Sequence, residues 1–191
     1  EVLSISLGAA ETTLLKLTNA YCSFANGGKK ISPILIDRIQ DRRGKTIFNA
    51  DKRICKGCEN ISYLDNEIPF IKDNLEQIIK PTTAYQITSM LEGVVKRGTG
   101  RKLKYLEIPL AGKTGTTNKN MDTWFVGFTS KVAIGVYVGF DEPKSMGKYE
   151  TGAKAALPIF KNFVEKAVNK NEARPFKIPE GKTLVMVDAD S

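Results

Sequence analysis

Three β-rich runs follow one another almost without interruption: PLAGKTGT, TWFVGFT and VAIGVYVGF. Only Ser130, Lys131 and their immediate neighbours separate the second from the third. That is too little chain for a crossover, so these two strands must be antiparallel neighbours. Side chains alternate along a strand, which puts Trp124, Val126 and Phe128 on one face. The third run is apolar on both faces and is expected to be covered twice.

Helical spacing supplies the covering elements. From Thr12 to Ala25 the apolar positions Leu14, Leu17, Tyr21 and Phe24 step by three and four, and Gly27-Gly28 comes next as a stop. Pro81 suits a first helical turn, and Ala84, Ile87, Leu91 and Val94 mark one face of a helix that ends before RGTG at 97–100. Ala156, Leu157, Phe160, Val164, Ala167 and Val168 line a third helix, with Pro158 in its first turn. Between the first two helices, Asp41-Arg42-Arg43-Gly44 separates two β-rich runs and predicts a hairpin with Gly44 at positive φ. Residues 49–80 are polar and aperiodic and read as a surface insertion, and 169–191 read as a C-terminal extension or linker. The class is α+β, an antiparallel sheet flanked by helices.

Composition narrows the function classes. At 191 residues, 41% hydrophobic and 26% charged, the chain has ordinary globular content and enough length for a sizeable core. It opens at Glu1 with no charged-then-apolar leader, which reads as a segment of a longer protein. The longest nearly apolar run, Val132–Phe140, falls far short of the roughly 20 residues a membrane helix needs. A net charge of +8 suits an anionic partner, but the 22 Lys and 7 Arg are scattered and no nucleic-acid motif accompanies them, so no nucleic-acid role is expected. With three Cys and no His, a zinc site lacks ligands, and no metal or cofactor is expected. Cys55 and Cys58 are open to two readings, a local disulfide or two idle thiols, with redox chemistry behind both.

The chemistry concentrates at Lys113-Thr114-Gly115-Thr116. A cation and two hydroxyls at an exposed strand end can bind the carboxylate end of a peptide. Alternation nominally aims Lys113 away from Thr114 and Thr116, but edge-strand twist can bring the ammonium back. Gly115 lets another backbone approach, an unpaired edge can accept a peptide as an added strand, and one edge amide can hold an oxyanion. A solvated strand end with a Gly bend is the plain alternative.

This string resembles the Lys-Thr-Gly motif of the penicillin-recognising serine acyltransferases, which pair it with Ser-x-x-Lys and Ser-x-Asn. The stretches LLKLTNAYCSFANGGKKISPILI, TAYQITSMLEGVVKRGTG, AGKTGTTNKNMDTWFVGFT and VGFDEP resemble the transpeptidase domain of class A penicillin-binding proteins, within them the 1A subgroup. The resemblance covers about residues 1–168, and ARPFKIPEGKTLVMVD is similar to the segment C-terminal to the transpeptidase in that subgroup. It implies part of a penicillin-binding-protein or serine β-lactamase-like fold. It implies that Lys113 supplies positive charge, that Thr114 and Thr116 bind the substrate carboxylate, that Gly115 keeps the strand face open, and that the Thr116 amide is half of an oxyanion hole. The implied substrates are D-alanyl-D-alanine stem peptides of peptidoglycan and β-lactams. The implied location is the periplasmic face of a bacterial inner membrane, with an anchor and a glycosyltransferase domain upstream.

Two of the three motifs are missing. The one Ser-x-x-Lys string, Ser145 to Lys148, comes after the last strand and reads as a surface loop, and no Asn has Ser two places before it. The nucleophile is therefore expected in the N-terminal remainder of the domain, and the chain alone is expected to be inactive. Without that remainder an apolar edge and face are expected to stay open, favouring self-association or loop disorder at 49–80 and 144–152. Two alternatives stand beside the enzyme fragment: a module that grips stem peptides or a partner without chemistry, and a basic scaffold for an anionic polymer.

Overall fold

A computed structural model describes residues 10–53 and 73–185, together with Leu3, Gly8 and Ile71. Chain contacts divide it into two compact units, one of residues 1–29 with 77–191 and one of residues 30–76.

The larger unit is built on a three-stranded antiparallel sheet, β3 (Ala111–Thr116), β4 (Asp122–Phe128) and β5 (Ala133–Gly139), in that spatial order. Three helices flank it: α1 (Leu14–Ala25), α2 (Pro81–Arg97) and α3 (Ala156–Ala167). Each starts as its sequence dictates. Thr13 caps α1, its Oγ1 accepting from the Lys16 amide at 3.2 Å. Pro81 opens α2, and Pro158 falls within the first turn of α3, where a missing amide costs nothing.

β4 occupies the middle of the sheet. Phe125 faces α3, its ring centroid 4.6 Å from that of Phe160. On the opposite face Phe128 meets Tyr21 of α1 at 6.3 Å, and Trp124 meets Tyr137 of β5 at 4.7 Å. Phe125, Val126 and Phe128 are all buried, so β4 is covered on both faces. β5 is covered twice as expected, by α1 on one face and by the core around α3 on the other, but it stays half-buried, with Tyr137 exposed. The physical reason is lateral: β5 is an edge strand, and an apolar run with one paired side is never enclosed as fully as the strand inside it.

The core gathers Val95 from α2, Leu103 and Leu106 from the 3-10 helix after it, Leu110, Phe125, and Ala156, Leu157, Phe160 and Val164 from α3. Beyond α3 the chain returns over the β4–β5 turn. The Ser130 hydroxyl donates to the Arg174 carbonyl at 3.0 Å, and Phe176 packs edge-on to Phe128 at 5.4 Å.

The smaller unit carries the hairpin β1 (Arg38–Gln40) and β2 (Thr46–Asn49), with Gly44 at φ 82° in its turn. Asp41 Oδ1 fixes that turn by accepting from the amides of Arg43 and Lys45. The unit begins at residue 30 and so includes this hairpin as well as most of the stretch read as a 49–80 insertion. Cys55 and Cys58 lie outside the described residues. Among the described residues, no helix is long and apolar enough to cross a membrane.

Candidate active site

Among the described residues β3 pairs with β4 on one side only, so its other side is a sheet edge. Which backbone groups point outward is set by the ladder. The Thr117 amide donates to the Asp122 carbonyl at 3.2 Å, one step beyond the strand register that pairs Thr116 with Thr123. Hydrogen-bonded pairs alternate in an antiparallel ladder, so Gly115 and Lys113 turn their backbone groups to β4, and Thr114 and Thr116 turn theirs to the open side. The Thr116 amide therefore faces the edge.

Lys113 is exposed, and its ammonium bends to that same edge. Nζ donates to the outward carbonyl of Thr114 at 3.0 Å and lies 3.4 Å from Thr114 Oγ1. Strand alternation places Lys113 and Thr114 on opposite faces, yet the four-carbon stem brings charge and hydroxyl together.

The Thr114 hydroxyl has a second neighbour that sequence reasoning left unassigned. Thr99 Oγ1 lies 2.9 Å from Thr114 Oγ1. Thr99 sits in the turn after α2, where the amides of Gly98 and Gly100 both donate to the Val94 carbonyl at 3.0 Å. This tight turn projects the residue between the two glycines toward β3. The RGTG string signals the turn, but nothing local signals where its threonine points.

Thr116 Oγ1 accepts from the Gly152 amide at 3.0 Å, in the segment that enters α3. Its own proton remains free to donate. Gly152 lies over the ladder so closely that a Cβ there would stand 2.6 Å from both the Gly115 and Trp124 carbonyl oxygens. Gly115 also fits closely against the neighbouring strand, since a Cβ on it would meet Trp124 Cβ at 3.0 Å. The glycine is needed by the sheet's own packing.

The structure does not bring Ser145 and Lys148 into a helical Ser-x-x-Lys arrangement. Both are in non-helical chain, Gly147 between them has φ 125°, and Ser145 Oγ accepts from the Gly147 amide at 3.2 Å. The surrounding segment, expected to be partly disordered over 144–152, is tied down: Asn120 Nδ2 donates to the carbonyls of Gly147 and Lys148 at 2.8 and 2.9 Å. Among the described residues no three His, Cys, Asp or Glu side chains are grouped as a metal would need.

The edge thus presents an ammonium, the hydroxyls of Thr114 and Thr116 and an outward amide, a set of donors suited to an anion and to charge developing on a carbonyl oxygen. The family profile described as "Penicillin binding protein transpeptidase domain" matches residues 1–165. Penicillin-binding protein 1A of Rickettsia conorii is 46% identical over 99% of this chain, which corresponds to 24% of that protein. Penicillin-binding protein 1A of Neisseria meningitidis is 38% identical over 94% of the chain and 21% of its own length. The crystal structure of penicillin-binding protein 1A from Haemophilus influenzae superposes with a TM-score of 0.76 at 31% identity, covering 93% of this chain and 29% of that one. The chain therefore spans about a quarter of the relatives it matches, and over that span it belongs to the penicillin-binding protein transpeptidase domain family.

Proposed function

We propose that this chain is the C-terminal part of a peptidoglycan transpeptidase domain that cross-links stem peptides by serine acyl transfer and is acylated by β-lactams. The observation that supports this most is the outward-facing Thr116 amide beside the Lys113–Thr114 pair at the free edge of β3. A peptide ending in D-alanyl-D-alanine lies along that edge. Its terminal carboxylate takes hydrogen bonds from the Thr114 and Thr116 hydroxyls and is held near the Lys113 ammonium. Its scissile carbonyl oxygen, one residue back, meets the Thr116 amide, a donor worth about 3 to 4 kcal/mol once charge develops on that oxygen.

The upstream remainder of the domain supplies the serine. Its hydroxyl oxygen attacks the carbonyl carbon, the terminal D-alanine leaves as an amine, and a second peptide's amine then displaces the serine from the ester. In this reading the protein works at the periplasmic face of the inner membrane, anchored upstream of residue 1. The chain alone lacks the nucleophile and does no chemistry.

The test is retention of a fluorescent penicillin after denaturation. The full-length protein is expected to carry covalent label, lost on replacing its upstream serine and strongly slowed by Lys113→Ala. Residues 1–191 alone are expected to carry none. Label on the isolated chain, or labelling of the full-length protein indifferent to Lys113, overturns the reading.

A further inference from the structure

The segment between β5 and α3 packs against the end of β3 and carries three lysines and one glutamate over residues 144–154. Two separate ties hold it beside the site. The first is Asn120 in the β3–β4 turn, which accepts from the Met146 amide at 2.9 Å while its side-chain amide holds the Gly147 and Lys148 carbonyls. That turn puts Lys119 and Asn120 at φ 61° and 52°, left-handed backbone that residues other than glycine adopt at a cost. The second is the Gly152 amide on Thr116 Oγ1.

Between the ties stands Tyr149, 68% exposed. The ammonium groups of Lys148 and Lys154 both lie over its ring, at 5.8 and 5.5 Å from the centroid. Among the described residues, neither lysine forms an ion pair. Chain length bounds their distance from the site: Tyr149 is within about 11 Å of Gly152 and Lys154 within about 8 Å. An extended peptide covers about 3.3 to 3.6 Å per residue, so no more than about three peptide residues span the stretch from Gly152, which touches Thr116, to Tyr149.

We propose that this loop is a second recognition subsite, in which Lys148 and Lys154 bind a side-chain carboxylate of the same peptide whose terminal carboxylate sits on Thr114 and Thr116. The Tyr149 ring keeps both ammonium groups close to one another at the loop and bears on the peptide's apolar atoms. Asn120 is a positioning residue: it touches no substrate and sets the loop's distance from β3. The proposal rests on reading Lys113–Thr116 as the terminal-carboxylate site.

The experiment uses the full-length protein and two synthetic D-alanyl-D-alanine peptides, identical except that an acidic side chain three residues upstream is a free carboxylate in one and a carboxamide in the other. The ratio of their kcat/KM values for release of D-alanine is measured. The unaltered protein is expected to favour the acid about fivefold or more, the size of an exposed ion pair or two. In K148A/K154A the ratio is expected to collapse toward one, and in Asn120→Ala to fall while Tm stays within a few degrees. Equal rates for the two peptides in the unaltered protein, or a preference that survives K148A/K154A, overturns the proposal. Lys113→Ala separates the two levels: if it lowers turnover of both peptides about tenfold or more while K148A/K154A leaves the ratio intact, the site reading stands and the loop subsite fails.

Discussion

The hydroxyl of Thr99, in the turn that ends α2, lies 2.9 Å from the hydroxyl of Thr114 on β3. Thr114 Oγ1 is also within reach of the Lys113 ammonium, which can only donate. Either hydroxyl can donate in this pair; when Thr99 donates, both lone pairs of Thr114 are used and its proton is left to point to a ligand. Thr99→Val in the full-length protein is therefore expected to slow acylation by a β-lactam about two- to tenfold, the worth of one neutral hydrogen bond. Thr99→Ser, keeping the hydroxyl, is expected to restore the rate. Stopped-flow acylation kinetics check both variants, and a valine variant as fast as the parent contradicts the assignment.

Removing the charge beside that pair should cost more. A charge-assisted hydrogen bond contributes about 1.5 to 3 kcal/mol, so Lys113→Ala is expected to lower kcat/KM about tenfold to a hundredfold. Lys113→Arg is expected to recover part of this, since the charge returns with a different reach. The loss should shrink for a peptide whose terminal carboxylate is amidated, because the interaction being removed is absent there. Steady-state release of the C-terminal residue from the two peptides measures it.

Gly152 tests how the site is braced. An alanine there places a Cβ 2.6 Å from two backbone carbonyl oxygens, so the segment must lift from the ladder. Gly152→Ala is expected to destabilise the protein by about 1 to 3 kcal/mol and to free the Thr116 hydroxyl from its present donor. Thermal unfolding gives the first number. The second shows as weaker binding of the terminal carboxylate, and a variant with unchanged Tm and unchanged kinetics refutes the bracing.

Phe160 is fully buried against Phe125 at the centre of the core. Phe160→Ala is expected to cost about 3 to 5 kcal/mol, measured by urea unfolding. Solvent-facing apolar residues on the same helix behave oppositely. Ile159 and Phe163 of α3 and Leu15 of α1 are exposed, and the isolated chain is expected to self-associate through such surface. Light scattering across a concentration series checks this: a monomer throughout contradicts it, and Phe163→Lys is expected to shift the distribution toward monomer.

Much of the scaffold is legible in the residues because it is set locally. The three- and four-residue steps in α1, α2 and α3, and the proline in the first turn of the last two, mark elements that the structure places as expected. The short β4–β5 connection dictates antiparallel pairing without help from the rest of the chain. What periodicity does not carry is lateral order, so it does not show that β4, inside the sheet, is buried more fully than β5 at its edge. Nor does it carry meetings at long range. The Gly152–Thr116 contact joins residues 36 apart, and the Thr99–Thr114 contact depends on the angle at which a tight turn leaves α2. The packing use of Gly115 is equally invisible until Trp124 is seen against it.

In the ladder, Thr114 is the register partner of Phe125. The Thr114 hydroxyl and the ring that anchors the interior thus stand on a single rung, on the same face of the sheet. A shift of Phe125 in the core is therefore expected to reach Thr114 across one rung of the ladder.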